Sequence, residues 1–299
     1  MAVRSGANTL RQRPERLTSV PSGALRLMQN FSASPTEMVA SLWRHRSLLG
    51  ASIKREVLGR YRGSVMGVFW SFFNPLLMLT IYTFVFSEVF KARWSAASGS
   101  KAEFALVLFS GLIVFNLFSE CVTRAPTLIL SNVNYVKKVV FPLEILSWIS
   151  LGSALFHTSI SLFVWLIAYC LLIGVPHITT LLLPVILLPL GLMVMGISWM
   201  LASLGVYLRD VSQFIGVITT ALMFLSPIFY PITALPDAYR HYLYINPLTT
   251  VIEQARDVLY WGKIPDLRML SIYLSASSIV AWLGYAWFQK TRKGFADVL

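Results

Sequence analysis

Residues 54 to 90 read KREVLGRYRGSVMGVFWSFFNPLLMLTIYTFVFSEVF, and this stretch decides the fold. Its basic block ends at Arg62, an apolar and aromatic run begins at Met66, and no charged side chain occurs from Met66 to Phe86. About 20 apolar residues cross a bilayer core as a helix. Lys and Arg just ahead of such a run keep its N-terminal side in the cytoplasm. The stretch therefore predicts a membrane span together with its direction.

The composition agrees. Of 299 residues, 56% are hydrophobic and 13% charged, where a soluble domain carries about 25% charged residues. The net charge of +12 is unevenly spread, because 11 of the 25 Lys and Arg precede residue 66. That distribution fits attraction to anionic membrane lipids rather than nucleic acid, since no basic groove or recognition motif accompanies it. Cys121 and Cys170 lie in separate apolar segments and read as small buried hydrophobes, while the four histidines are scattered and lack zinc spacing.

Residues 1–33 are rich in Arg, Ser, Pro and Gly without the apolar core of a signal peptide, which predicts a disordered cytoplasmic tail. Ser34-Pro35-Thr36-Glu37 has the form of a capping box with Pro at the first helical position. Met38, Leu42, Leu49, Ile53 and Val57 follow at helical spacing, so 34–65 is expected as an amphipathic cytoplasmic interface helix, or two helices broken near Gly50.

Six apolar segments then occupy 66–90, 104–122, 143–174, 181–208, 214–230 and 270–288. With the N-terminus inside, the cytoplasmic parts hold 18 basic residues and the outer parts 7, which places both termini in the cytoplasm. The link 231–269 is broken by four prolines and is rich in Tyr. Its pieces are too short to span and suit short re-entrant helices between spans five and six. The expected fold is an all-α membrane protein: tail 1–33, interface helix 34–65, six-span domain 66–288 and cytoplasmic end 289–299.

No phosphate loop, nucleophile elbow or metalloprotease motif occurs, and no catalytic or metal-ligating set stands out. Glu120, Glu144, Arg209 and Asp210 all fall near span ends. Ion-coupled carriers keep ionisable residues near the midplane, so the energy for any transport is expected from a partner.

Arg60-Tyr61-Arg62-Gly63-Ser64-Val65-Met66-Gly67, with Trp70, Asn74-Pro75 and Phe84-Val85-Phe86, resembles the first-span signature of type-2 ABC exporter permeases of the polysaccharide-export branch, which includes O-antigen and teichoic-acid exporters. Four further likenesses follow in order: Ser131-Asn132 through Lys137-Lys138-Val139-Val140-Phe141-Pro142; Val206 to Val211; Ser226-Pro227-Ile228-Phe229-Tyr230-Pro231; and Asn246-Pro247-Leu248 with Glu253 and Arg256 beyond.

The resemblance implies a six-span subunit in the bacterial inner membrane, dimerising around a channel, with two copies of an ATPase subunit below that bind the ATP and Mg. The chain itself is then no enzyme and carries no cofactor. Its substrate is a lipid-linked polysaccharide, with membrane lipids around it. A small-molecule exporter of the same type, a membrane enzyme acting on a lipid-linked sugar, and an ion channel or secondary carrier are the rivals.

The same resemblance assigns residues. Arg60 and Arg62 stand where a lipid pyrophosphate would meet the channel, and the planar guanidinium fork suits phosphate oxygens. Ser131, Asn132, Asn134, Tyr135, Lys137 and Lys138 form a polar segment expected to dock on the ATPase, while the amphipathic helix at 38–62 is expected to make a second contact with it and to hinge at Gly59 or Gly63. Apart from the resemblance, Phe69, Trp70, Phe73, Tyr82 and Phe86 are either channel-lining candidates, because sugar C–H groups pack on aromatic rings, or part of the interfacial aromatic belt. Tyr230, Glu253 and Arg256 are expected at an outer gate, and the last two, three apart, share a helix face.

Overall fold

A computed structural model describes residues 33–89, 94, 101–137 and 141–299. The expected tail over 1–33 lies outside these residues but for Ala33, as do Phe90, most of the 91–103 link and Lys138. The described residues are helical, with no strand among them.

Two short helices come first, α1 (Pro35–Arg44) and α2 (Arg46–Arg60). Ser34 caps α1 by accepting from Glu37 N at 3.2 Å. Only this half of the capping box forms, because the Glu37 carboxylate instead pairs with Arg44 at 2.9 Å. The break falls at His45, five residues ahead of the expected Gly50. One face of α2 packs on protein: Ile53 sits over Gly152, where an added Cβ would stand 2.3 Å from its Cδ1. Val39 and Trp43 on α1 and Leu58 on α2 remain exposed, leaving apolar surface for a bilayer interface.

Five helical segments are long and apolar enough to cross a membrane: Gly67–Phe86, Ala102–Thr127, Ile145–Leu172, Ile178–Tyr207 and Leu267–Val298. Their α-helical cores are α3 (Trp70–Thr83), α4 (Lys101–Arg124), α6 (Ile145–Leu172), α7 (Leu183–Tyr207) and α11 (Leu267–Thr291), with a five-residue α5 (Val133–Lys137) between α4 and α6. The expected fifth span, 214–230, is a shorter helix, α8 (Val211–Leu225), stopped by Ser226-Pro227. Its 15 residues reach about 22 Å, less than a hydrocarbon core of about 30 Å. The proline-rich link contains α9 (Asp237–Leu243) and α10 (Pro247–Leu259), and α12 (Phe295–Val298) ends the chain.

Helix α4 is the central post: 83% of its most apolar window is buried, against 11% for the first span. A helix apolar all round belongs inside a bundle, and Phe104, Leu106, Leu108, Phe109, Ile113 and Leu117 meet neighbours on every side. Trp165 of α6 clamps it with a 2.9 Å bond from Nε1 to Leu106 O. The first span stays peripheral, with Phe69, Leu76, Leu77, Met78 and Ile81 exposed. Helices α7 and α11 touch backbone to backbone through Gly196 and Gly284, the small-residue contact expected where lipid offers no hydrophobic drive to association.

Candidate functional site

Helices α2 and α4 each carry a glutamate followed four residues later by an arginine: Glu56 and Arg60, Glu120 and Arg124. That spacing puts both charges on one helix face. The faces meet crosswise, Arg60 bonding Glu120 and Arg124 bonding Glu56. Crossed pairing of this kind requires the two helices to run antiparallel. Arg124 Nη1 also stands 3.7 Å from Glu120 Oε1. His157, from the middle of α6, completes the cluster, with Nδ1 2.9 Å from Glu120 Oε1 and Nε2 3.3 Å from the Tyr61 hydroxyl. Burial pushes the Tyr61 phenol up, so it stays protonated at neutral pH and donates to Nε2. The arrangement is satisfied when Nδ1 carries the imidazole proton and donates it to Glu120.

This cluster forms one wall of a cavity of about 470 Å³ between α2, α3, α4 and α6. Amides and hydroxyls supply the rest of its polar lining: Asn74, Asn116, Ser119, Thr123 and Ser161, with Pro75, Met78, Tyr82 and Leu112 as apolar surface. Glu120 lies one helical turn from the end of α4. Two smaller hollows continue from the cavity along α2, and Arg124 borders all three. The last is lined by Ser131, Asn132 and Tyr135, so a polar seam runs from the α5 segment into the bundle.

The glutamate and arginine of the Glu56–Arg124 pair are 40% and 32% exposed, so solvent screens the pair. A double-mutant cycle with Glu56→Gln and Arg124→Gln, read by denaturant unfolding in detergent, should give a coupling of about 0.5–1 kcal/mol. A coupling indistinguishable from zero would mean that the crossed pairing does not hold α2 to α4.

A second charged site lies at the opposite end of α4. Asn246 caps α10 by accepting from Leu248 N at 3.0 Å, with Pro247 at the first helical position. Its amide donates to Ser226 Oγ at 2.9 Å, joining the two Pro-containing motifs. Arg256 of α10 is only 1% exposed. Its Nη1 bonds Glu253 at 2.7 Å, Nη2 bonds Ile228 O at 2.8 Å, and Nε bonds Val107 O at 3.2 Å. The Trp94 ring lies 4.3 Å from the guanidinium carbon. Burial pushes Arg256 down to about 10 while Glu253 pulls it back up, so it stays charged at neutral pH. One side chain thus ties α10, the Pro227-Ile228 corner and α4 together. Tyr230 of the same corner reaches Leu225 O at 3.3 Å, closing the end of α8.

A family model described as the ABC-2 type transporter matches residues 47–260 of this chain, from α2 through α10. The chain belongs to the ABC-2 type transporter family. It is 26% identical over 267 residues to an O-antigen export system permease protein, RfbA, of Myxococcus xanthus, covering 87% of this chain and 98% of the relative. It is 26% identical over 254 residues to an RfbA permease of Klebsiella pneumoniae, covering 84% and 95%. A polysialic acid transport protein, KpsM, of Escherichia coli is 24% identical over 244 residues, covering 80% and 91%.

In this ABC-2 type transporter the residues singled out from sequence are distributed as follows. Arg60 enters the crossed cluster, whereas Arg62 is exposed and does not line the cavity. Of the five aromatic candidates, Tyr82 alone lines the cavity. Phe69 is exposed, Trp70 and Phe73 meet edge to face at 5.6 Å, and Phe86 stacks between Phe104 and Phe229 at 5.7 and 5.3 Å.

Ser131 and Asn132 lie in a 3-10 turn, with Asn134, Tyr135 and Lys137 on α5. Ser131, Asn134 and Lys137 are exposed, whereas Asn132 and Tyr135 are half-buried. Asn132 donates to Leu128 O, and Tyr135 stacks on Phe141 at 4.3 Å and accepts from Arg55 at 2.6 Å. Sequence reasoning missed Glu56, Arg124 and His157, and treated Glu120 only as a charge near a span end. The signal was the repeated E-x-x-x-R at 56–60 and 120–124. Among the described residues, no group of three or more His, Cys, Asp and Glu is placed to hold a metal ion.

Proposed function

We propose that this chain is the membrane subunit of an ATP-driven exporter that moves a lipid-linked, O-antigen-like polysaccharide from the cytoplasmic side across the bacterial inner membrane. The observation that carries this reading is the end-to-end alignment with export permeases, which spans 95–98% of the RfbA relatives. The chain works as a homodimer with two ATPase subunits, and ATP and Mg belong to those partners. Six spans cross the membrane, α8 being the fifth with the following residues to 230, and both termini are cytoplasmic. Helices α9 and α10 re-enter from the outer face and, with Tyr230, Glu253 and Arg256, form its gate. The tail 1–33 and the cytoplasmic end 289–299 flank this 66–288 core.

The chemistry supports each step. The Ser131–Lys138 segment docks on the ATPase and passes its movement through the Arg55–Tyr135 bond to α2. Gly63, at φ +86°, forms the joint between α2 and the first span, a backbone state that L side chains rarely adopt. The lipid pyrophosphate meets Arg60 at the cytoplasmic end of the cavity, with Arg62 on the approach. Its sugars pass the first span at Tyr82, the aromatic candidate that borders the cavity, where C–H groups pack on the ring and hydroxyls stay hydrated.

Deleting the gene tests the reading. Synthesis should continue, surface polymer should disappear, and lipid-linked polymer should build up in the cytoplasm. Loss of synthesis itself would overturn export and favour a membrane enzyme. Co-purification of an ATPase with the tagged chain is the companion check.

A further inference from the structure

The cavity holds two arginines against one interior carboxylate. Arg60 and Arg124 both approach Glu120, and His157 directs Nδ1 to the same group. The Arg124 Nη1 atom is buried and makes no hydrogen bond, its 3.7 Å approach to Glu120 being too long for one. A buried guanidinium nitrogen without an acceptor signals a missing partner, and this one borders the cavity. With Glu56 included, the four charges sum to zero. The site is therefore built for an anion while filled by an anion of its own.

We infer that Glu120 is a resident counter-anion occupying a phosphate site, and that a phosphate- or diphosphate-bearing amphiphile displaces it. The inference rests on the proposed function and deepens it, because it names Arg124 beside Arg60 as a ligand-contacting donor, with His157 holding the displaced Glu120. The incoming phosphate takes the Arg60 and Arg124 donors in its several acceptor oxygens, a fit for planar guanidinium forks. Released from the arginines, Glu120 keeps its bond from His157 Nδ1, so its charge is not left unpartnered. Asn74, Asn116, Ser119 and Ser161 then face the group attached beyond the phosphate. A carboxylate that must be displaced weakens the resting site for the ligand, which lets the group leave again on the other side of the cycle.

The inference predicts an unusual sign. Removing a residue that merely positions its neighbours weakens binding, whereas removing a competitor strengthens it. The full chain, purified in neutral detergent, is titrated calorimetrically with farnesyl diphosphate, with farnesol and inorganic pyrophosphate as separate arms. Glu120→Gln, nearly isosteric, should bind farnesyl diphosphate about tenfold more tightly than the native chain. Arg124→Gln should bind about tenfold more weakly, and Arg124→Lys should recover only part of the loss because it restores charge without the fork.

If Glu120→Gln weakens binding as Arg124→Gln does, the counter-anion role is overturned while the phosphate reading survives. If farnesol binds as well as the diphosphate, or neither binds any variant, both the inference and the phosphate reading of Arg60 fall. Equal tightening toward inorganic pyrophosphate and farnesyl diphosphate would uphold displacement of Glu120 but assign the site to a soluble anion, overturning the lipid source.

Discussion

Arg256→Met should destabilise the protein by about 3–5 kcal/mol, chiefly the cost of leaving two buried carbonyl oxygens without their donor. The guanidinium is 1% exposed and serves Glu253, Ile228 O and Val107 O at once. Methionine fills much of the volume but leaves the Glu253 carboxylate without its cation and Ile228 O without that donor. Burial already pushes Glu253 up, with Arg256 pulling it down, so loss of the arginine favours a protonated, neutral Glu253.

Glu253→Gln should cost less, about 1–3 kcal/mol, because both carbonyl bonds remain. The double variant Arg256→Met with Glu253→Met should recover part of the loss, since replacing both partners leaves no buried charge. Unfolding midpoints in detergent check the ordering. If the double variant is as unstable as the sum of the singles, the carboxylate is not the orphan created by Arg256→Met.

Gly284→Val should be of similar severity, about 3 kcal/mol or more, through overpacking at a backbone contact. Even a Cβ at Gly284 would stand 2.1 Å from Gly196 O, and one at Gly196 would stand 2.3 Å from Val280 O. The obstacle is main chain, so no side chain can rotate away. Separating α7 from α11 would also disturb the bond between Ser203 Oγ and Thr291 Oγ1 at 2.7 Å. Gly216→Ala is the control, because a Cβ there meets nothing within 4 Å. Gly284→Val should give a lower unfolding midpoint and loss of monodisperse protein, with Gly216→Ala unchanged. Equal behaviour of the two would contradict the close α7–α11 packing.

The spans were legible because bilayer thickness writes itself into sequence as runs of uncharged residues. The start of the first span after Arg62 and the long third segment are found close to their expected places. The length of α8 was not, because an apolar run from 214 to 230 does not reveal that Ser226-Pro227 turns the chain out of the helix. The motif at 246–248 had a local meaning readable in advance, an Asn cap with Pro behind it. Its bond to Ser226 depends on α8 and α10 being folded together.

Arg256 escaped for a related reason. Glu253 and Arg256 satisfy the spacing of an ordinary surface pair, and only the corner at Ile228 and the α4 backbone make the pocket that buries it. At the cavity, each E-x-x-x-R reads alone as a helix-face pair. Their meeting across α2 and α4, with His157 arriving from α6, is a tertiary event between residues up to 97 apart. Aromatic richness was visible, but the side of the first span that faces the cavity was not, and Tyr82 alone of the five candidates proved to line it.

The most direct measurement of export is sidedness in a closed membrane. Proteoliposomes holding this chain and the proposed ATPase partner are loaded with a lipid-linked oligosaccharide, and a lectin reports the sugar on the face opposite the ATPase. ATP should make that sugar accessible, and Arg60→Gln should slow its appearance while hydrolysis continues. ATP hydrolysis by the intact complex with no sugar crossing would contradict the account.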